Sequence, residues 1–138
     1  MAHGARLGSA VMFVRDLDAS VAFYADVLAL ELADRSATAA LLTSAGGAAL
    51  ILRAMGRGAE RALGTIGVQY VAWTAADPED LERCEAALAG RGAHRDTRRS
   101  DEVTVVEGRD PDDVVLLVIY PGPDQAPLRA LPVRIYGW

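Results

Sequence analysis

Cysteine is nearly absent from this chain of 138 residues: Cys84 stands alone. A single thiol excludes an internal disulfide and suits a reducing cytoplasm. Histidine is almost as scarce, with only His3 near the start and His94 in or beside a strand. Metal chemistry built on imidazole and thiolate therefore has little to draw on. No apolar run approaches the ~20 residues that span a bilayer, so a membrane is not expected as a partner. The N-terminal stretch lacks the long apolar core of a signal peptide. An excess of positive charge is missing too. The net charge of −5 argues against nucleic acid or an anionic membrane as the main partner. The glycines of residues 54–64 are followed by no Lys-Ser or Lys-Thr pair, so the phosphate-loop pattern fails.

What is present fits one compact domain that buries roughly 68% of its unfolded surface. Apolar residues make up 51% and charged residues 24%, the balance of a soluble globular protein. The dominant feature is a plan that occurs twice. Residues 13–32 read as strand, acidic cap, amphipathic helix, strand, and residues 71–93 read the same way. The two capping aspartates, Asp16 and Asp77, lie 61 residues apart. In the first copy the alternation predicts a strand over 8–15, with Ser9, Val11 and Phe13 on one face. Asp16 caps a helix that buries Leu17, Val21, Tyr24 and Leu28. Strands follow near 30–34, 38–43 and 48–53, the last two joined by Gly46-Gly47. In the second copy a strand over 65–74 leads to Asp77 as cap, with Pro78 in the first helical position. Leu81, Cys84 and Leu88 face the core, and Gly90 or Gly92 ends the helix. Strands near 93–98, 102–107 and 114–120 complete it, and the run 94–102 reads as a solvated hairpin. The implied boundaries are an extension over 1–7, a first module over 8–54 and a linker over 55–64. A second module covers 65–121 and a tail 122–138, whose apolar end from Leu128 to Trp138 is expected to pack against something.

These residues carry a resemblance. "DLDASVAFYADVLALEL" is similar to the first-helix signature of the vicinal oxygen chelate superfamily, which holds glyoxalases, bleomycin-resistance proteins and extradiol dioxygenases. "RDPDD" resembles that family's Asp-Pro-Asp-Gly turn before its last strand, and "AADPEDLERCEAALAGRG" stands where the second helix belongs. The resemblance implies an α+β fold: paired βαβββ modules forming an open, curled mixed sheet around a cup, usually in a homodimer. It also implies four metal-ligand positions in the active enzymes. Carried over, they fall at Ser9, at Ala49 or Ile51, at Tyr70 and at Leu117, none of which replaces a His or carboxylate ligand. No metal and no cofactor is therefore expected. Ala29 stands where the family ends its first helix with glycine, and Asp113 replaces the turn glycine.

A cup lined by Ser9, Val11, Phe13, Ile51, Tyr70, Ala72, Val115 and Leu117 is apolar and partly aromatic. It suits a planar or polycyclic small molecule, with Arg53 placed to meet an anionic group at the rim. The bleomycin-resistance branch works without metal, by sequestering an antibiotic. The resemblance thus favours a cytoplasmic, homodimeric binding protein for an apolar or aromatic natural product, of the self-resistance type. The alternative is a metal-independent isomerase, cyclase or ring-opening enzyme, with Tyr70 as acid and Glu107 or Glu102 as base. A third reading is a filled, closed module. Plainer roles stay open throughout: Val11 and Phe13 as core, Ser9 as a small filler, Tyr70 as a satisfied core tyrosine and Arg53 as a snorkelling edge residue. Trp73 has the opposite parity to Tyr70 and is expected to pack under a helix.

Overall fold

The computed structural model describes residues 3–5, 7–60, 66–101 and 103–121. The predicted tail from Leu128 to Trp138 and the base candidate Glu102 lie outside them. The chain divides into two compact units, Met1–Glu60 and Arg61–Trp138.

In the first unit the order is β1 (Ser9–Val14), α1 (Leu17–Val27), β2 (Glu31–Arg35), β3 (Ala39–Thr43) and β4 (Ala49–Ala54). The sheet runs β1-β4-β3-β2. β1 and β4 are parallel, and the other neighbours are antiparallel. A parallel pair cannot be joined by a hairpin, so α1, β2 and β3 together make the crossover. Asp16 starts α1 from an extended backbone, its carboxylate accepting from the Ala19 amide at 3.1 Å. The helix buries Leu17, Val21 and Tyr24 as the spacing predicts, and Ser20, Phe23 and Val27 as well. Leu28 is only half-buried. The helix has already ended at Val27, so Leu28 leaves the stripe. The Phe23 and Tyr24 rings meet edge to face at 5.1 Å, which widens the buried band. Ala29 then takes a left-handed φ of 53°, a conformation that costs a residue with a Cβ roughly 1–2 kcal/mol.

The second unit repeats the plan: β5 (Val71–Thr74), α2 (Pro78–Gly90), β6 (His94–Arg99), β7 (Thr104–Arg109) and β8 (Val115–Tyr120). Its sheet runs β5-β8-β7-β6, again with one parallel pair, β5 with β8. β5 is shorter than the sequence suggests. Gly67 takes a φ of 132° and its carbonyl accepts from Gln69 Nε2 at 2.9 Å, so the chain is still turning before Tyr70. Asp77 caps α2 through the Asp80 amide at 2.7 Å, and Asp80 returns a bond from the Ala76 amide at 2.9 Å. Leu81, Cys84 and Leu88 are the residues of α2 that reach the core. The turn from β7 to β8 is organised by Asp110, which is 6% exposed. Its Oδ1 accepts from the amides of Asp112 and Val114, both at 2.9 Å, while Asp113 turns left-handed at φ 65°.

One outer strand of each sheet carries an irregularity. The pairing of β2 slips between Leu32 and Asp34, and that of β6 between His94 and Asp96. One extra residue in each strand bends the edge and interrupts its row of hydrogen-bonding groups.

Candidate functional site

Strand parity and register assign two faces to each sheet. In the first unit Tyr24 Oη lies 3.8 Å from Met12 Sδ, which puts Met12 on the α1 side. Met12 stands beside Leu52, and Leu52 beside Ala40. These rows form the core with Val14, Leu42 and Leu50. Among the described residues no helix packs on the opposite face. Across it run Ser9 beside Ala49, Val11 beside Ile51 and Phe13 beside Arg53, continued on β3 by Thr43, Leu41 and Ala39. Phe13 is 64% and Val11 57% exposed. Ser9 and Arg53 are exposed, and Ile51 and Ala49 half-buried. Of the two fourth-strand candidates, Ala49 is the direct neighbour of Ser9 and Ile51 that of Val11.

In the second unit Gly108 marks the α2 side, because a Cβ there would meet Leu88. Gly108 stands beside Leu116, and Val106 beside Val118. Trp73 pairs with Val118 and is half-buried on that same side. The helix-free face carries Val105, Val115, Leu117, Ile119 and Val103, an apolar cluster against which Tyr70 packs. Ala72 lies beside Leu117 and is exposed. Val115 is 3% exposed and Leu117 fully buried. The two helix-free faces therefore differ: the first presents its large apolar side chains to solvent, and the second encloses them.

The lining positions named from the sequence fall on these faces. Ser9, Val11, Phe13, Ile51 and Arg53 share the helix-free face of the first sheet. Ala72, Val115 and Leu117 share that of the second, with Tyr70 packed on it. The residues at the inherited ligand positions are hydroxyl or hydrocarbon groups, with neither imidazole nor carboxylate, and this donor set does not fit a divalent ion. Among the described residues no three His, Cys, Asp or Glu side chains gather as a metal site would need.

Two groupings escaped the sequence reading. The run 94–102 is not simply solvated, since His94, Asp96, Thr97 and Arg98 are half-buried. On the α2 side Thr97 donates its hydroxyl proton to the Glu85 carboxylate. With that proton committed, the Thr97 oxygen accepts from His94 Nε2 at 2.7 Å. Arg99 reaches the other Glu85 oxygen at 3.5 Å. This network pins α2 to β6. On the helix-free side Glu107 pairs with Arg109 at 3.6 Å, and Asp96 with Arg98 at 3.6 Å. Charged residues spaced by two along β6 and β7 were the available signal for this second strip.

Cys84 belongs to the core, at 2% exposure. Burial pushes its thiol up to about 11, opposed by the Arg83 guanidinium and assisted by Asp80. Such a thiol is a poor nucleophile at neutral pH.

Comparison with known proteins agrees with this architecture. A glyoxylase/bleomycin resistance protein/dioxygenase domain from Frankia sp. EAN1pec superposes with a TM-score of 0.73 at 23% identity, covering 85% of this chain and 98% of that one. A glyoxalase/dioxygenase from Nostoc punctiforme gives 0.71 at 16% identity, covering 83% and 89%. Lactoylglutathione lyase from Agrobacterium tumefaciens gives 0.64 at 19% identity, covering 85% and 94%. At these identities the likeness is one of fold. No curated protein matches the sequence. The sequence profile of one family spans residues 6–125, nearly the whole of both units. The chain belongs to the Glyoxalase/Bleomycin resistance protein/Dioxygenase superfamily.

Proposed function

We propose that this protein is a metal-independent small-molecule binder that sequesters or carries an apolar, aromatic natural product, as a bleomycin-resistance type of self-protection would require. The observation that carries this reading is the helix-free face of the first sheet. Phe13 and Val11 stand 64% and 57% exposed there beside Ile51, with hydroxyl and guanidinium groups, Ser9 and Arg53, at its margins. Large apolar side chains grouped on one sheet face lower their free energy by about 25 cal/mol for each Å² withdrawn from water. An aromatic ligand stacked on Phe13 supplies that cover, and Arg53 supplies a polar end contact. The inherited ligand positions hold no group that binds a divalent ion, so recognition rests on stacking and hydrogen bonds. The same reading includes a cytoplasmic homodimer. For the described residues, no helix is long and apolar enough to cross a membrane.

Native mass spectrometry of untreated protein reports retained ligand, metal content and oligomeric state together. A thermal-shift screen of polycyclic aromatic compounds then tests the face directly. Phe13→Ala is expected to weaken a hit about tenfold, the scale of a lost aromatic contact plus its buried area. Folding should hardly change, because Phe13 is mostly exposed. No stabilisation by any polycycle, or undiminished binding by the Phe13 variant, would refute this reading.

A second reading, a metal-independent isomerase, cyclase or ring-opening enzyme, is favoured by one observation. The Glu107 side chain is a carboxylate only 12% exposed, on the same face as the apolar cluster that Tyr70 packs against, where a bound substrate would find a proton acceptor. Turnover of a bound natural product that vanishes in Glu107→Gln would select it over sequestration.

A further inference from the structure

A cation stands on the exposed apolar face of the first sheet. Strand pairing sets Arg53 directly between Phe13 on β1 and Ala39 on β3. Arg53 is exposed, and Ala39 beside it is half-buried. The other described arginines of the first unit are engaged. Arg15 Nε donates to the Ala59 carbonyl at 2.7 Å, Arg35 pairs with Asp18, and Arg57 pairs with Asp16 at 3.4 Å. Among the described residues the Arg53 side chain makes no hydrogen bond, ion pair or ring contact. Register gives the reason. The pairing of β2 ends at Arg35 beside Ala40, and Arg35 turns to the α1 side to meet Asp18, so no residue of β2 pairs beside Ala39. The acids of this face, Glu31 beside Thr43 and Asp34 beside Leu41, lie on β2. Two strand spacings separate β2 from β4, about 10 Å.

We propose that the ligand of this face is an aromatic acid, ionised at neutral pH, with its anionic group on the Arg53 guanidinium and its rings over Phe13 and Ile51. This rests on the binding function proposed above and adds the charge and class of the ligand. Every residue it uses lies in the first unit. Phe13 and Arg53 stand on adjacent strands, about 4.8 Å apart, so the anionic group belongs on the ring system itself. A carboxylate matches the guanidinium fork through two parallel hydrogen bonds. Glu31 and Asp34 repel an anion from the β2 margin, which leaves one orientation. The uncharged part of the ligand then runs over Ile51 toward Leu41, the row that begins at Val11. A cationic aromatic fits worse, because its charge is drawn to β2 while its rings are drawn to Phe13.

Calorimetric titration with two probes of one shape tests this: 2-naphthoate and its neutral counterpart 2-acetylnaphthalene. The anion is expected to bind about fivefold tighter than the ketone, the scale of an exposed charge pair, and the advantage should shrink at high salt. Arg53→Met should abolish the advantage while changing the ketone's affinity by less than about twofold. Arg53→Lys should keep part of it, since an ammonium supplies the charge without the fork. Phe13→Ala should weaken both probes alike. Equal affinities for the two probes, or an advantage that survives Arg53→Met, overturns the inference. In that case binding of the ketone that weakens in Phe13→Ala leaves the general binding function standing. If neither probe binds, both proposals fall, and a dimeric parent that becomes monomeric in Phe13→Ala would then show that a second copy covers this face.

Discussion

Gly108 is the position at which one methyl group should have the largest effect. It lies on the α2 side of β7, and its φ is not in the left-handed region, so alanine fits the backbone. Space is the obstacle. A Cβ at this site would stand 2.7 Å and 3.0 Å from the Leu88 methyl carbons, and 3.0 Å from the Ala93 carbonyl oxygen. Leu88 is fully buried and cannot swing into solvent. Overpacking of this kind typically costs about 1–3 kcal/mol. Alanine also restricts the unfolded chain, which offsets about 0.4–1 kcal/mol. Gly108→Ala should therefore destabilise by about 1–2 kcal/mol, or about 4–8 °C in Tm for a chain of this size. Leu88→Ala alone should cost about 2–5 kcal/mol. In the double variant the contacts with Leu88 are gone and only that with the Ala93 carbonyl remains, so the two costs should fall short of additive by about 1 kcal/mol. Urea unfolding with unchanged m-values measures all three. A Gly108→Ala protein as stable as the parent, or strict additivity in the cycle, would refute the argument from contact distances.

Three other outcomes are expected. Ala29→Gly should raise stability by about 1 kcal/mol, because glycine accepts the φ of 53° without the Cβ penalty; thermal melts will show this, and a neutral or destabilising result counts against it. Thr97→Val should cost about 1–3 kcal/mol, since it strips the Glu85 carboxylate of a hydroxyl donor and His94 of an acceptor; a stability change below about 0.5 kcal/mol would show the network to be idle. For Cys84 the folded thiol titrates near 11, above the unfolded value of about 8.5. Between these values the unfolded chain gives up the proton while the folded chain retains it, so stability should fall as pH rises from about 9 to 11. All 14 basic residues are arginine, leaving mainly tyrosine to share that window. Cys84→Ala should flatten the decline, and an unchanged pH profile would contradict the burial argument.

The parts of the fold that could be read in the sequence are those set by local chemistry. Asp16 and Asp77 announce the helix starts because a carboxylate satisfies free amides within three residues. Leu81, Cys84 and Leu88 follow from the helical period alone. Ala29 and Asp113 stand where the family usually has glycine, and both turn left-handed. The parts that escaped depend on residues distant in the chain. Nothing near Gly108 reveals that Leu88 will lie against it. The slips within β2 and β6 insert one residue into a pattern whose only code is alternation, so a sequence window cannot place them. Glu85 and Thr97 sit on a helix and a strand, and only packing makes one the other's partner. The same limit applies to the lining residues. Parity sorts Val11 and Leu117 onto helix-free faces, but their opposite fates, one exposed and one enclosed, follow from what covers each sheet.

The irregular outer strands have a consequence for how copies of this protein can aggregate. Fibrous growth by strand addition needs a sheet that accepts a newcomer at one side and offers a fresh template at the other. In each sheet here the far rim is bent by an extra residue and studded with charge, Glu31, Asp34 and Arg35 on β2 and Arg95, Asp96, Arg98 and Arg99 on β6. Only β1 and β5 keep a regular rim. A sheet that can be extended on one side alone stops after a single addition, so neither sheet can grow strand by strand into a continuous cross-β stack.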